Sequence, residues 1–260
     1  MLVKPQFNRS AQDILRDRYL WKDSNGQPKE TPEQMLVRVA THVASAEKTT
    51  ALQYKWADEY YDIMAKLLFM PNSPTLMNAG RKAPYGQLAA CFVIGVEDSM
   101  DSICEALRKQ MLIHKSGGGT GFNFSKLRSA GARVRSTNGR ASGPVSFMGL
   151  FDKATETVQQ GGMRRGANMG ILNIDHPDIR QFIHCKDKDG TIANFNISVG
   201  MTDEFMKKAT DDPNGEEAKL LAEIADSAWR TGDPGIIFLD AVNRGNTTPN
   251  LWPLMSTNPC

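Results

Sequence analysis

The 260 residues are 40% apolar, enough to bury the core of one large domain or two unequal ones. With 31 basic against 29 acidic side chains the formal charge is +2, which leaves no electrostatic case for nucleic acid as a bulk partner. No run approaches the roughly 18 apolar residues of a membrane span, and the opening MLVKPQFNRSAQDILRDRY lacks a secretory signal's apolar stretch, so a cytoplasmic chain with no membrane partner is expected.

Residues 1–70 read as helical. Thr31-Pro32-Glu33-Gln34 has the form of a helix start, with Thr31 as N-cap, Pro32 in the first turn and Gln34 reaching back. Leu36, Val39, Ala40 and Val43 follow at helical spacing, and a second amphipathic helix carries Trp56, Tyr60, Ile63, Met64 and Leu67. Pro71 and Pro74 are expected to end it, leaving Pro71–Gly80 as extended chain or loop.

From Cys91 the pattern becomes strand and helix in alternation. CFVIGV (91–96) predicts a buried strand, Ser99 to His114 a helix capped by Ser99 or Asp98, and GTGFNFS (119–125) a second strand. Pro144–Gln159 reads as helix, ANMGILNI (167–174) as strand, and Asp175-His176-Pro177 as a helix start with Asp175 capping. TIANFNISV (191–199) is a further strand, two short helices follow around a polar loop at Thr210–Glu217, and GIIFLD (235–240) is the last strand. Such alternation over some 150 residues predicts an α/β sheet or barrel with crossover helices.

Three segments are candidates for chemistry. Lys115–Gly121 (KSGGGTG) lets backbone approach a ligand closely, but it runs helix, glycines, strand, the reverse of a P-loop or dinucleotide fingerprint; a tight turn is the plainer reading. Arg128, Arg133, Arg135 and Arg140 sit in one glycine-bearing loop, and Arg164 and Arg165 in another, Gln160–Ala167. Guanidinium forks on such loops suit phosphate oxygens, and equally they suit a solvated basic surface. The four cysteines, Cys91, Cys104, Cys185 and Cys260, show no CxxC pair and no zinc-ligand spacing. His176 and His184 flank a helix beside Asp175 and Asp178, which capping explains more simply than a metal does.

Five ordered motifs then coincide with a known family: FMPNSPTLMNAG (69–80), ACFV (90–93), GGGTGFNFS (117–125), GGMRRG (161–166) and NPC (258–260). The series resembles the catalytic subunit of ribonucleotide reductases, most closely the adenosylcobalamin-dependent class II enzymes. The resemblance implies an N-terminal helical domain (1–70) followed by the first part of a ten-stranded α/β barrel (71–260). It implies conversion of ribonucleotides to 2′-deoxyribonucleotides for DNA synthesis by a thiyl radical, with adenosylcobalamin as cofactor. Cys260 matches the radical cysteine, Cys91 the first reducing cysteine and Asn258 the asparagine at the ribose hydroxyls. Ser73, Thr75, Ala90 and Gly119 match the substrate pocket; related reductases often carry serine where Ala90 stands. Asp98, Arg128 and Val134 match the deoxynucleotide effector pocket, and Arg164 the segment that relays effector identity to the substrate base.

The same resemblance places the catalytic glutamate and the second reducing cysteine beyond Cys260, so this chain alone is expected to be inactive and poorly soluble until joined to a C-terminal half, an intein junction being one cause of such an end. Ribonucleotide substrates, deoxynucleotide and ATP effectors, a thioredoxin-type reductant and a homodimer are the implied partners. Two other readings stay open: a fragment of an oxygen-dependent class I catalytic subunit, and a non-catalytic nucleotide-binding remnant.

Overall fold

The computed structural model describes residues 3–81, 86–134, 138–158, 166–188 and 190–259. The chain divides into two compact units, Met1–Ala90 and Cys91–Cys260.

The first unit is helical. Helix α1 (Arg9–Ile14) continues into a π-helical turn at Leu15–Tyr19, followed by α2 (Pro32–Ala44), α3 (Thr50–Ala65) and α4 (Ser73–Asn78). The capping box at α2 is present: Thr31 N donates to Gln34 Oε1 at 2.8 Å and Gln34 N to Thr31 Oγ1 at 3.3 Å. Met35, Leu36, Val39 and Ala40 pack against Tyr61, Met64, Ala65 and Leu76. Two expectations change here. Helix α3 ends at Ala65, where Leu67 turns into the left-handed region and out to solvent, so the prolines do not stop it. The expected loop at 71–80 contains α4, because Asn72 Oδ1 accepts Thr75 N at 2.9 Å and Pro74 occupies the first turn, where a missing N–H costs nothing. Arg38 joins these pieces: it pairs with Glu30 at 2.7 Å and donates to the carbonyls of Ala79 and Leu76.

The second unit is a parallel α/β sheet. Its strands are β1 (Cys91–Val93), β2 (Gly119–Asn123), β5 (Asn168–Asn173), β6 (Phe195–Met201) and β7 (Gly235–Phe238), hydrogen-bonded in that order and all parallel. Helices α5 (Met100–Lys115), α6 (Pro144–Thr157), α7 (Ile179–Ile183) and the pair α8 (Asp203–Asp211) and α9 (Glu216–Thr231) form the crossovers; α10 (Leu239–Arg244) follows β7. A small antiparallel hairpin, β3 (Arg133–Val134) with β4 (Gly139–Arg140), interrupts the series. Sequential parallel neighbours joined by helices are the pattern that curls into a barrel wall.

The two faces of the sheet differ in chemistry. Phe122, Leu172, Phe195, Ile197, Val199 and Met201 alternate onto the face that packs against Ala106, Met148, Phe151, Phe182 and Ile224 of the helices. Phe122 meets Phe151 edge-on at 4.9 Å between centroids. The opposite face sets small and polar residues, Gly119, Gly121, Asn123, Asn173, Asn196 and Ser198, beside the apolar Met169 and Ile171.

Several predicted boundaries move. Helix α7 starts at Ile179 with Asp178 before it, not at Asp175, because the buried His176 side chain holds the preceding turn: its Nδ1 accepts Asp178 N at 3.0 Å and its Nε2 donates to Leu127 O at 2.9 Å. Strand β6 begins at Phe195, after a turn in which Ile192 takes φ 49°. Helix α9 is 16 residues rather than short, the polar loop shrinks to the residues between Asp211 and Glu216, and Leu239 and Asp240 open α10 instead of extending β7. Among the described residues, no helix is long and apolar enough to cross a membrane.

Candidate functional site

The small, polar face of the sheet is covered by the chain's own last residues. Asn243 on α10 grips Leu254 in both directions, Nδ2 donating to its carbonyl at 2.9 Å and Oδ1 accepting its N–H at 2.7 Å. Asn123 Nδ2 donates to Met255 O at 2.7 Å and to Asn173 Oδ1 at 3.0 Å. Gly121 lies under Thr257: a Cβ there would sit 1.8 Å from the Thr257 carbonyl oxygen. Gly119 lies under Pro259, where a Cβ would be 2.7 Å from Cγ, and Asn196 Nδ2 donates to Pro259 O at 3.2 Å. Residues 255, 257 and 259 therefore lie over 123, 121 and 119, so the segment runs antiparallel along β2.

Cys91 opens β1 directly beside Gly119 in register, half-buried and on the same face. Paired strands lie about 4.8 Å apart, so the ACFV and NPC motifs, 160-odd positions apart in the chain, converge through Gly119. Asn258 is half-buried between Thr257 and Pro259; Cys260 falls outside the described residues. In the helical unit Ser73 Oγ shares a 2.8 Å hydrogen bond with Tyr19 OH, and Thr75 Oγ1 donates to Leu88 O at 2.9 Å, which ties α4 to the stretch leading to the half-buried Ala90.

Two of the effector candidates meet. Asp98, just before α5, accepts from Arg128 Nε at 2.8 Å and from Arg128 N at 3.3 Å. The loop bearing Arg128 is anchored from below by His176 on Leu127 O and by Asp178 Oδ2, which accepts Ala130 N at 2.8 Å. Val134 lies on the β3–β4 hairpin, where Arg133 forks onto Asn138 Oδ1 at 2.7 and 3.2 Å. Arg164, with Arg135, Arg165 and most of the GGMRRG motif, lies outside the described residues.

Sequence reasoning missed a buried polar network between α5, α6 and the sheet. Gln110 Nε2 donates to Thr155 Oγ1 at 2.7 Å, Asn168 Oδ1 at 3.0 Å and Phe151 O at 3.0 Å. Thr120 Oγ1 donates to Asn168 Oδ1 at 2.7 Å and lies 3.0 Å from His114 Nε2. A Cβ on Gly166 would stand 2.7 Å from His114 Nδ1, so the residue after the GGMRRG arginines rests on this imidazole. Burial pushes His114 below its ordinary value, so the ring is neutral. Polar residues at helix-facing positions 110, 114, 120 and 168 were the available signal; only contact partners distinguish such a network from solvated surface. Cys185, three-residue neighbour of Phe182, is pushed up to about 12 by burial and is no nucleophile.

The site is thus one face of a parallel α/β sheet crossed by residues 255–259, with Cys91 aligned beside Gly119. Residues 89–217 and 214–260 match the family described as ribonucleotide reductase, barrel domain, and residues 5–84 match ribonucleotide reductase, all-alpha domain. A vitamin B12-dependent ribonucleoside-diphosphate reductase of Thermoplasma acidophilum is 41% identical across 96% of this chain and 42% of its own length. The enzyme so named in Mycobacterium tuberculosis (strain CDC 1551 / Oshkosh) is 41% identical across 96% of this chain and 38% of its own. A vitamin B12-dependent ribonucleotide reductase of Streptomyces clavuligerus is 36% identical across 74% of this chain and 24% of its own. The chain belongs to the ribonucleotide reductase family. It spans about two fifths of the length of the first two of these relatives.

Proposed function

We propose that this chain is the N-terminal, effector-reading and thiol-positioning part of an adenosylcobalamin-dependent ribonucleotide reductase, inactive until joined to the C-terminal part. The observation that carries the reading is the convergence of Cys91, Gly119 and Pro259 on one sheet face, which brings the proposed reducing thiol alongside the segment that ends in the proposed radical thiol.

In this reading Asn258 presents its amide to the ribose hydroxyls, and the Cys260 thiyl takes the 3′-hydrogen of the nucleotide. The 2′-hydroxyl leaves as water. The two electrons come from Cys91 and a second cysteine outside this chain, which close into a disulfide that a thioredoxin-type reductant reopens. Asp98 and Arg128 form the floor of the effector pocket, the guanidinium turning from carboxylate to phosphate when a deoxynucleotide binds.

Adenosylcobalamin supplies the initiating radical when bound, and the names of the relatives support that choice over an oxygen-dependent radical subunit. The described residues do not present a holder for it. His114, His176 and His184 of the barrel unit are engaged by Thr120, by Leu127 and Asp178, and by Asp187 and Glu223, so these three imidazoles would not be the groups that hold it. Its binding surface belongs in this proposal to residues outside the chain.

The test is reconstitution. Joined to the C-terminal part of the reductase, the chain should convert ribonucleotides to deoxyribonucleotides only when adenosylcobalamin and a dithiol are present. Cys260→Ala should abolish turnover. Turnover that survives that substitution, or its absence after verified joining, overturns the reading.

A further inference from the structure

The polar inner face of the sheet is locally unfavourable as strand. Glycine within a strand is disfavoured by roughly 0.5–1 kcal/mol relative to alanine, and β2 carries two, at 119 and 121, both on the side facing the 255–259 segment. Asparagine is also a poor strand residue, yet Asn123 and Asn196 stand on that side, each with its amide donated to a carbonyl of the segment. These choices share one explanation in the geometry. The glycines remove the Cβ atoms that would collide with Thr257 and Pro259, and the asparagines fasten the segment at its two ends, Met255 and Pro259.

The geometry points to Gly119, Gly121, Asn123 and Asn196 as positioning residues: a saddle on which residues 255–259 are seated, and through which the location of the thiol that follows Pro259 is set. The inference rests on the reading of Cys260 as the radical thiol. It assigns the glycine-rich motif to holding the chain's own segment, where nucleotide approach was the earlier expectation for Gly119.

The contacts set the magnitude. A Cβ at 119 would lie 2.7 Å from Pro259 Cγ, where ordinary contact begins at 3.4 Å, so Pro259 must move by about 0.7 Å. Misplacement on that scale lowers turnover on the order of 10²-fold. At 121 the obstruction is backbone, the Thr257 carbonyl, which no neighbouring side-chain change can relieve; at 119 it is a side-chain atom, which can be removed.

The experiment uses the complete reductase. Gly119→Ala should lower kcat about 10²-fold with the nucleotide KM within about twofold. Adding Pro259→Ala, which deletes the colliding Cγ, should recover most of the loss. No recovery in the double variant, or a loss confined to KM, overturns the saddle and returns Gly119 to nucleotide contact. Asn196→Ala, at an exposed position, should speed amide hydrogen exchange at Thr257 and Asn258 without moving the melting temperature; unchanged exchange at both amides also overturns it. A failed functional reading has a different signature: the unsubstituted enzyme would not reduce ribonucleotides, while the exchange result would still stand.

Discussion

Gln110 on α5 and Thr155 on α6 are joined by a 2.7 Å hydrogen bond wholly inside the protein, and the same Gln110 amide reaches Asn168 at the start of β5. Two crossover helices and a central strand are thus cross-linked by one side chain. Thr155 and Asn168 flank the GGMRRG segment, so its two ends share an anchor.

Removing that anchor should be costly because its partners cannot turn to water. Gln110→Ala removes the amide shared by Phe151 O, Thr155 Oγ1 and Asn168 Oδ1, although Thr120 still donates to the last, and on the order of 1–3 kcal/mol of stability is expected to be lost. Urea unfolding of the barrel unit with an unchanged m-value and a lowered midpoint is the expected result. A shift below about 0.5 kcal/mol would mean that the network relaxes around the gap.

His114 makes the same network sensitive to pH. Its folded value lies below the ordinary 6.5, so on acidification the unfolded chain binds the proton first. The His114 contribution is therefore complete above pH 6.5 and drains away as pH falls below it. Melting temperature should drop as pH falls below about 6.5 more steeply in the native sequence than in His114→Gln, whose amide keeps a donor for Thr120 without titrating there. Parallel profiles for the two proteins would remove His114 as the cause.

Arg128 and Asp98 are both more than a third exposed, so their ion pair is expected to contribute no more than about 1 kcal/mol to stability. Binding is another matter if the pair receives an effector phosphate. Arg128→Leu in the complete enzyme should leave the melting temperature within a degree or two of the parent's and weaken deoxynucleotide effector binding by roughly 10- to 100-fold. Calorimetric titration with deoxynucleoside triphosphates measures it; undiminished affinity would exclude Arg128 from the pocket.

Arg38 contrasts with that surface pair. Its guanidinium and the Glu30 carboxylate are almost fully buried, and it also satisfies two backbone carbonyls at the end of α4. Arg38→Met would leave Glu30 charged and unpaired, so a loss of about 3–5 kcal/mol is expected for the helical unit, visible as early loss of helical ellipticity on heating. A cost under 1 kcal/mol would mean that Trp21 N, which already donates to Glu30 Oε1 at 2.8 Å, suffices to hold the carboxylate.

Much of the architecture was legible because it rests on periodicity and local chemistry. The α2 capping box, Ser99 at the start of α5 and the five parallel strands all announce themselves within a few residues. Where local rules misled, a distant side chain had intervened: His176 is spent on Leu127 O, so Asp175 does not cap α7. The α4 helix was hidden by its prolines, which read as breakers although Pro74 stands in the first turn.

Composition, strand–helix alternation and five short motifs by themselves determined the α/β class, the helical unit before it and the family, since each depends on neighbours in the chain. Only the tertiary structure decided that Gly119 and Gly121 lie beneath Pro259 and Thr257, that Cys91 stands in register with Gly119, and that Gln110 ties α6 to β5. Those relations join residues tens to more than a hundred positions apart, and the identity of a glycine or an amide carries no record of which distant atom will occupy the space beside it.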